Sequence, residues 1–229
     1  MKKNKILIFL LTLAFVGQAQ EFSRKDSLRG NLTPIRTCYD VTFYDLKVMI
    51  GNNKNITILD IGCGNGNMAN QLISENYDVY GTDGSETGIS VAKKKNKDRF
   101  FVQDINSKLL PIELQDKKFD KIISTEVIEH LYNPRGYIEF CKKVLMKNGG
   151  GEMIVSTPYH GYLKNLALAV TGKFDNHFTV LWDGGHIKFW SVQTLSELLN
   201  EFGFEVIEFR GSGRLPYLWK SMFIKAKIG

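Results

Sequence analysis

The feature that most constrains this chain is a strand-like run that breaks into alternating glycines, Leu59-Asp60-Ile61-Gly62-Cys63-Gly64-Asn65-Gly66-Asn67. Ile56–Ile61 is apolar enough for a strand buried on both faces, and Asn67–Ser74 has helical spacing. A strand that enters a helix through such a loop belongs to an open α/β sheet. Ligands bind there beyond the carboxyl ends of the strands, where strand order reverses. Gly62 permits the tight turn, and Gly64 lets the backbone approach a ligand because no Cβ intrudes. The N–H groups of the following helix start suit a carboxylate or phosphate. A dinucleotide loop requires G-x-G-x-x-G, and Asn67 stands where its third glycine belongs.

The rest of the body repeats the alternation. Strands are expected at Tyr77–Thr82, Arg99–Val102, Asp120–Ser124 and Glu152–Ser156, with helices at Glu86–Lys95 and Pro134–Met146. Ser191–Phe202 is a helix with Ser191 as N-cap and Gly203 as C-cap. Phe204–Phe209 and Leu218–Ile228 are closing strands that can pair antiparallel. The expected architecture is α/β: a Rossmann-like, doubly wound, seven-stranded and mainly parallel sheet with an antiparallel last strand.

Glycines at 62, 64 and 66, with Asp60 two before the first, resemble the cofactor loop of class I S-adenosylmethionine-dependent methyltransferases. Asp83 ends the second strand, 19 residues past Gly64, where a carboxylate can accept both hydroxyls of a ribose. Asp104 follows the third strand. Phe119–Leu131 (FDKIISTEVIEHL), Gly185–Ser191 and Leu198–Phe204 resemble the ubiquinone-biosynthesis O-methyltransferase branch, and the likeness runs from about Asn55 to Ile228. The resemblance implies S-adenosylmethionine as cofactor. Its holders would be Asp60, Gly62, Cys63, Gly64, Asn65 and Gly66, with Asp83, Gly84, Asp104, Ile105 and Thr125. It also implies a small-molecule acceptor methylated at oxygen, and helices ahead of the first strand that close over the cofactor.

All four histidines, His130, His160, His177 and His186, fall after the fourth strand, where the acceptor pocket is expected. His130 is the first candidate for a base, because histidine titrates near neutral pH. His186 and Glu126 are the other catalytic candidates. Glu126, Glu129 and His130 also have i, i+3, i+4 spacing. One helical turn would gather them on one side, where they could hold Mg²⁺ or Zn²⁺. The branch suggests such a metal, with Mg²⁺ as the cofactor candidate. The other reading is that Glu129 and His130 cap a turn. Residues 159–190, rich in aromatics, form a cap insert suited to roof a pocket. Leu163–Val170 is apolar enough to touch a membrane surface, although a buried cap helix is the expectation.

Charge is uneven. Residues 1–50 carry +4 of the net +6, so the body is nearly neutral and nucleic acid is disfavoured as a partner. Three cysteines without a CxxC pair suggest neither a disulfide scaffold nor a zinc knuckle. Residues 1–19 form a signal-like leader: a basic start, an eleven-residue apolar run at Ile6–Val16 and small residues at Gly17 and Ala19. The run is too short to span a bilayer, which takes ~20 residues. Residues 20–48 resemble the mature start of secreted bacterial zinc aminopeptidases, but no HExxH motif follows. The segment 20–50 is therefore atypical, with a stray strand at Tyr39–Val48 as its local reading. The methyltransferase domain is expected over 51–229. The leader points to export, whereas the implied cofactor points to the cytoplasm. A NAD-dependent oxidoreductase and an inactive nucleoside-binding relative of methyltransferases remain the competing readings, and the sequence leaves oligomeric state open.

Overall fold

The computed structural model describes residues 38–178, 181 and 184–229. The leader, the aminopeptidase-like stretch up to residue 37 and Trp182 of the cap lie outside these residues. The chain divides into two compact units, Met1–Tyr39 and Asp40–Gly229, and nearly all the described residues belong to the second.

The second unit is one seven-stranded sheet. Its strands are β1 (Thr57–Ile61), β2 (Asp78–Asp83), β3 (Phe100–Val102), β4 (Lys121–Thr125), β5 (Gly151–Pro158), β6 (Glu205–Ser212) and β7 (Ser221–Ile228). Their spatial order is β3-β2-β1-β4-β5-β7-β6. The first five run parallel, and β7 lies between β5 and β6, antiparallel to both. The expected sheet and its antiparallel last strand are both present. The order reverses between β1 and β4, which opens the crevice just past the glycine loop. Leu59, Phe119, Ile122, Met153, Leu199 and Ile224 are fully buried and belong to one core cluster.

The helices are α1 (Cys38–Ile50), α2 (Asn67–Ser74), α3 (Glu86–Ala92), α4 (Pro134–Met146), α5 (Tyr162–Thr171), α6 (Phe174–Phe178) and α7 (Val192–Glu201). The stray strand read at Tyr39–Val48 is instead α1. Its aromatic and β-branched residues suit a strand locally, yet its buried Phe43, Leu46, Met49 and Ile50 recur every three or four residues, which is a helical face. Packing overrides propensity here. The α1 carboxyl end has orphan carbonyls that need donors. Lys225 donates to Met49, Lys121 to Ile50 and the Tyr77 hydroxyl to Gly51, at 3.1, 3.0 and 2.6 Å. Lys121 starts β4, so the end of α1 is anchored by the strand ends opposite the glycine loop. No described helix is long and apolar enough to cross a membrane.

The segment after the cap is fixed by the start of α7. The Ser191 hydroxyl accepts from the Thr194 N–H at 3.1 Å, and the Thr194 hydroxyl accepts from the Ser191 N–H at 3.0 Å. This reciprocal cap satisfies two donors that α7 otherwise leaves open. Replacing Ser191→Ala is expected to cost about 1 kcal/mol. In a thermal melt that appears as a drop of roughly 2–4 °C, and an unchanged melting temperature would mean that the cap contributes nothing.

Candidate active site

Backbone bonds to the end of β2 shape the glycine loop. The Gly62 and Cys63 N–H groups both donate to the Thr82 carbonyl, at 2.8 and 3.0 Å. The Gly64 N–H donates to Asp83 Oδ2 at 2.8 Å. Gly62 and Gly64 have φ of +80° and +55°, a region that costs other residues strain. A Cβ on Gly62 would collide with Val127, whereas one on Gly64 would meet nothing within 4 Å. Gly64 therefore presents bare backbone to open space. Asp83 Oδ1 accepts from the Ser85 N–H at 2.8 Å. Each Asp83 oxygen thus accepts one backbone bond and keeps capacity for another, as two ribose hydroxyls require.

A cavity of about 560 Å³ opens along this edge. Gly62, Gly64, Asp83, Gly84, Asp104 and Ile105 line it, and Glu126 and His130 line it as well. The structure thus brings most of the expected residues to one cleft. Asp104 is exposed, and its Oδ1 accepts from the Asn106 backbone and side-chain N–H at 2.9 and 3.0 Å. Five expected cofactor residues do not line the cleft, nor do Glu129 and His186. Gly66 packs its backbone against Ala92 and Phe100. Asn65 Oδ1 accepts from the Asn67 N–H at the start of α2, at 3.2 Å. Thr125 pairs with Ser156 in the sheet. Cys63 lies against the end of β2, where burial pushes its thiol up. Asp60 is buried beneath the loop with Oδ1 unpartnered. Burial, and then the Asp83 charge, raise its carboxyl to about 7. Sequence reasoning passed over Gln103, Val127 and Leu131, which also line the cleft and are ordinary as residue types.

The other wall of the cleft begins at Glu126, whose φ of +55° is left-handed. Such a conformation costs a residue with a side chain ~1–3 kcal/mol and persists only where its surroundings impose it. Here the Glu126 N–H donates to the Ser156 carbonyl at 3.1 Å, and the Ser156 hydroxyl donates to Glu126 Oε1 at 2.9 Å. Burial raises the Glu126 carboxyl. The chain then makes a single 3₁₀ turn over Ile128–His130. Glu129 is fully buried. Burial, and then the Glu126 charge, lift its carboxyl to about 8, so it holds a proton at pH 7. His130 Nδ1 lies 2.7 Å from the Gly184 carbonyl and 3.2 Å from that of Gly185. Both partners are carbonyls, which only accept, so Nδ1 carries a proton and donates it.

The i, i+3, i+4 gathering does not form, because the left-handed turn at Glu126 ends any helical period before Glu129. Glu129, His130 and His186 come together instead, with ligand atoms within 4.8 Å of one another. His160 does not reach the cleft. It is buried in the cap among His177, Phe178 and Phe189, with ring centroids 5.3–5.9 Å away.

The family model described as a methyltransferase domain matches residues 42–209. The ubiquinone biosynthesis O-methyltransferase of Pelagibacter ubique is 34% identical over 149 residues, which are 62% of this chain and 60% of that protein. The enzyme of the same name from Dinoroseobacter shibae is 29% identical over 163 residues, 69% and 63% of the two chains. The chain thus spans under two thirds of the length of these curated relatives. Among solved structures, magnesium protoporphyrin IX methyltransferase from Synechocystis, with bound SAH, is similar with a TM-score of 0.63 at 18% identity, covering 96% of this chain and 99% of that one. The methyltransferase domain of bacterial CtHen1 has a TM-score of 0.63 at 16% identity, covering 84% and 100%. These two likenesses bear on the fold.

The elevated Asp60 carboxyl predicts a pH signature. Between about 3.8 and about 7 the folded chain keeps a proton that the unfolded chain has lost. Stability therefore falls as pH rises through that window. Asp60→Asn removes this slope. At pH 8 the variant is expected to melt at least ~4 °C above the parent, each kcal/mol being worth roughly 2–4 °C. The gap should close toward pH 4, and parallel melting curves from pH 4 to pH 8 would contradict the assignment.

Proposed function

The chain belongs to the methyltransferase-domain family, and on that premise we propose that it transfers a methyl group from S-adenosylmethionine to an oxygen of a small-molecule acceptor. The observation that carries this reading is the cleft itself. The bare backbone of Gly64 and the two half-used oxygens of Asp83 lie along one edge, and Glu126 and His130 line the same cavity. The fit to a nucleoside cofactor is good, because a side chain at Gly64 would stand in the open space that the ligand needs.

Bound there, the cofactor supplies a methyl group on a positively charged sulfur. The chain supplies orientation and proton handling. Asp83 would accept from the ribose hydroxyls and Asp104 from the adenine amine, and Gly62 and Gly64 would let the backbone come close. Cys63, Asn65 and Gly66 act by holding the loop rather than by touching the ligand, whereas Thr125 belongs to the pairing of β4 with β5 and Asp60 lies buried beneath the loop. His130 takes the acceptor proton at Nε2 while the Gly184 carbonyl holds its Nδ1–H. Glu129 keeps its own proton and adds no second negative charge beside Glu126. The near-neutral body supports a small acceptor over nucleic acid. Residues 51–229, with α1 packed beneath them, form the catalytic domain, and 159–190 its cap. A cytoplasmic location goes with this reading.

A second reading has its own observation. Two imidazoles and one carboxylate from Glu129, His130 and His186 form a donor set for a divalent cation. That set suits Zn²⁺ better than Mg²⁺, which prefers oxygen ligands. The two readings compete for His130.

Melting curves with S-adenosylhomocysteine, S-adenosylmethionine and NAD test the cofactor. A ligand at 100 times its dissociation constant adds ~2.7 kcal/mol. The first two are expected to raise the melting temperature by roughly 2–4 °C per kcal/mol, and NAD to leave it unchanged. Asp83→Ala should remove the shift. His130→Ala should keep the shift and lower turnover ~10²–10⁴-fold. Turnover abolished by EDTA and restored by Zn²⁺ would favour the metal reading. A shift with NAD alone would overturn the methyltransferase assignment.

A further inference from the structure

The sheet ends on a long strand with one side unpaired. β6 lies at one edge of the spatial order and β3 at the other. β3 has three residues, whereas β6 has eight, Glu205–Ser212, with neither proline nor lysine among them. Among the described residues β6 pairs only with β7. Its other side presents a row of N–H and C=O groups with no strand to meet them, which is a template for a further strand. Ile207 and Phe209 are 42% and 39% exposed along that edge. A bulge between Val206 and Glu208 leaves 208–212 as the regular stretch.

Within that stretch two opposite charges share a face. Glu208 stands opposite Lys225 and Arg210 opposite Phe223 in the ladder with β7. Lys225 reaches the Met49 carbonyl of α1, and Arg210 Nη1 approaches Asp45 of α1 at 3.4 Å, so this is the α1 face. Phe209 stands opposite Ile224 on the other face, where it meets Trp219 edge-on. The Arg210 guanidinium is under-used. Its Nε lies 4.0 Å from the Glu208 carboxylate and makes no hydrogen bond among the described residues. A guanidinium has five N–H donors, and one long bond to Asp45 leaves most of them for another carboxylate. The Glu208 and Arg210 side chains are both partly exposed.

We propose that β6 pairs antiparallel with β6 of a second copy of this chain, about a two-fold axis through Phe209, so that the two sheets run on as one. Geometry and charge select this register. A sheet that continues keeps each face on its own side, so directly opposed residues share a face and their numbers differ by an even count. An axis through Glu208 would oppose two carboxylates, and one through Arg210 would oppose two guanidiniums. Like charges directly opposite are destabilising. An axis through Phe209 sets Glu208 against Arg210 of the partner subunit, and the symmetry repeats that pair. The two Phe209 rings then meet on the other face, a favourable aromatic pair. The inference concerns assembly and stands apart from the chemistry of the cleft.

Sedimentation equilibrium of the full chain, from ~1 to ~100 µM, tests this. The mass is expected to rise to twice that of one chain across the range. Glu208→Lys sets lysine against arginine, and Arg210→Glu sets glutamate against glutamate, so each alone should weaken the dimer at least tenfold. Mixed in equal amounts, the two variants regain both opposite-charge pairs and should associate within threefold of the parent. Phe209→Cys, on the axis, should cross-link to its own copy under a mild oxidant at least tenfold faster than Glu205→Cys, which lies off it. The cross-link keeps both charges in place, so it decides the matter even where a charge variant does not fold. A parent chain that stays monomeric throughout would overturn the proposal. So would a dimer that folded charge variants leave unweakened, a mixture no tighter than either variant alone, or Phe209→Cys linking no faster than Glu205→Cys.

Discussion

The bond from the Gly64 N–H to the Asp83 carboxylate is the joint on which the site depends. It couples the loop after β1 to the end of β2, and the Thr82 carbonyl reinforces it by accepting from both Gly62 and Cys63. A loop with a side chain at Gly62 could not follow the same path. Val127 occupies the space beside Gly62, and a Cβ on Gly88 would press on the Gly64 carbonyl. The cleft is thus a consequence of backbone packed on backbone. The carboxylate that fixes the loop also lines the cleft, which joins the shape of the site to its chemistry.

The opposite wall is built by strain. Glu126 sits in a left-handed conformation that Ser156 holds from the neighbouring strand through both backbone and side chain. This kink turns the chain abruptly from β4 into the 3₁₀ turn, and so brings Glu129 and His130 toward the segment at 184–188. The carbonyls of Gly184 and Gly185 then orient His130, while the Glu129 carbonyl accepts from the Ile187 and Lys188 N–H groups. The cap segment and the strand end hold each other in place, although they are more than 50 residues apart in sequence.

Much of this was legible in the residues. The glycine loop, Asp83 and Asp104 sit at strand ends, and strand ends can be read from apolar runs bounded by turn residues. The sheet and its antiparallel closure were legible for the same reason. Three things were not. The α1 helix was hidden by β-branched and aromatic residues whose burial only the sheet decides. The carboxylate–histidine set could not come from local spacing, because a left-handed residue resets the period and His186 arrives from a distant loop. The buried Lys164 stands in an apolar run, and its burial exists only once the cap is folded.

The position of β7 has a consequence for the making of the chain. Met222, Phe223, Ile224 and Ala226 are wholly buried, and the strand that carries them fills the gap between β5 and β6. Until the ribosome has released residues 221–228, β5 has an unpaired edge and β6 has no place in the sheet. The parallel half, with its glycine loop, can form during synthesis, but the antiparallel half beyond β5 cannot. The cleft is therefore assembled in the order of translation, its Gly64 and Asp83 edge first and the sheet behind its other wall last.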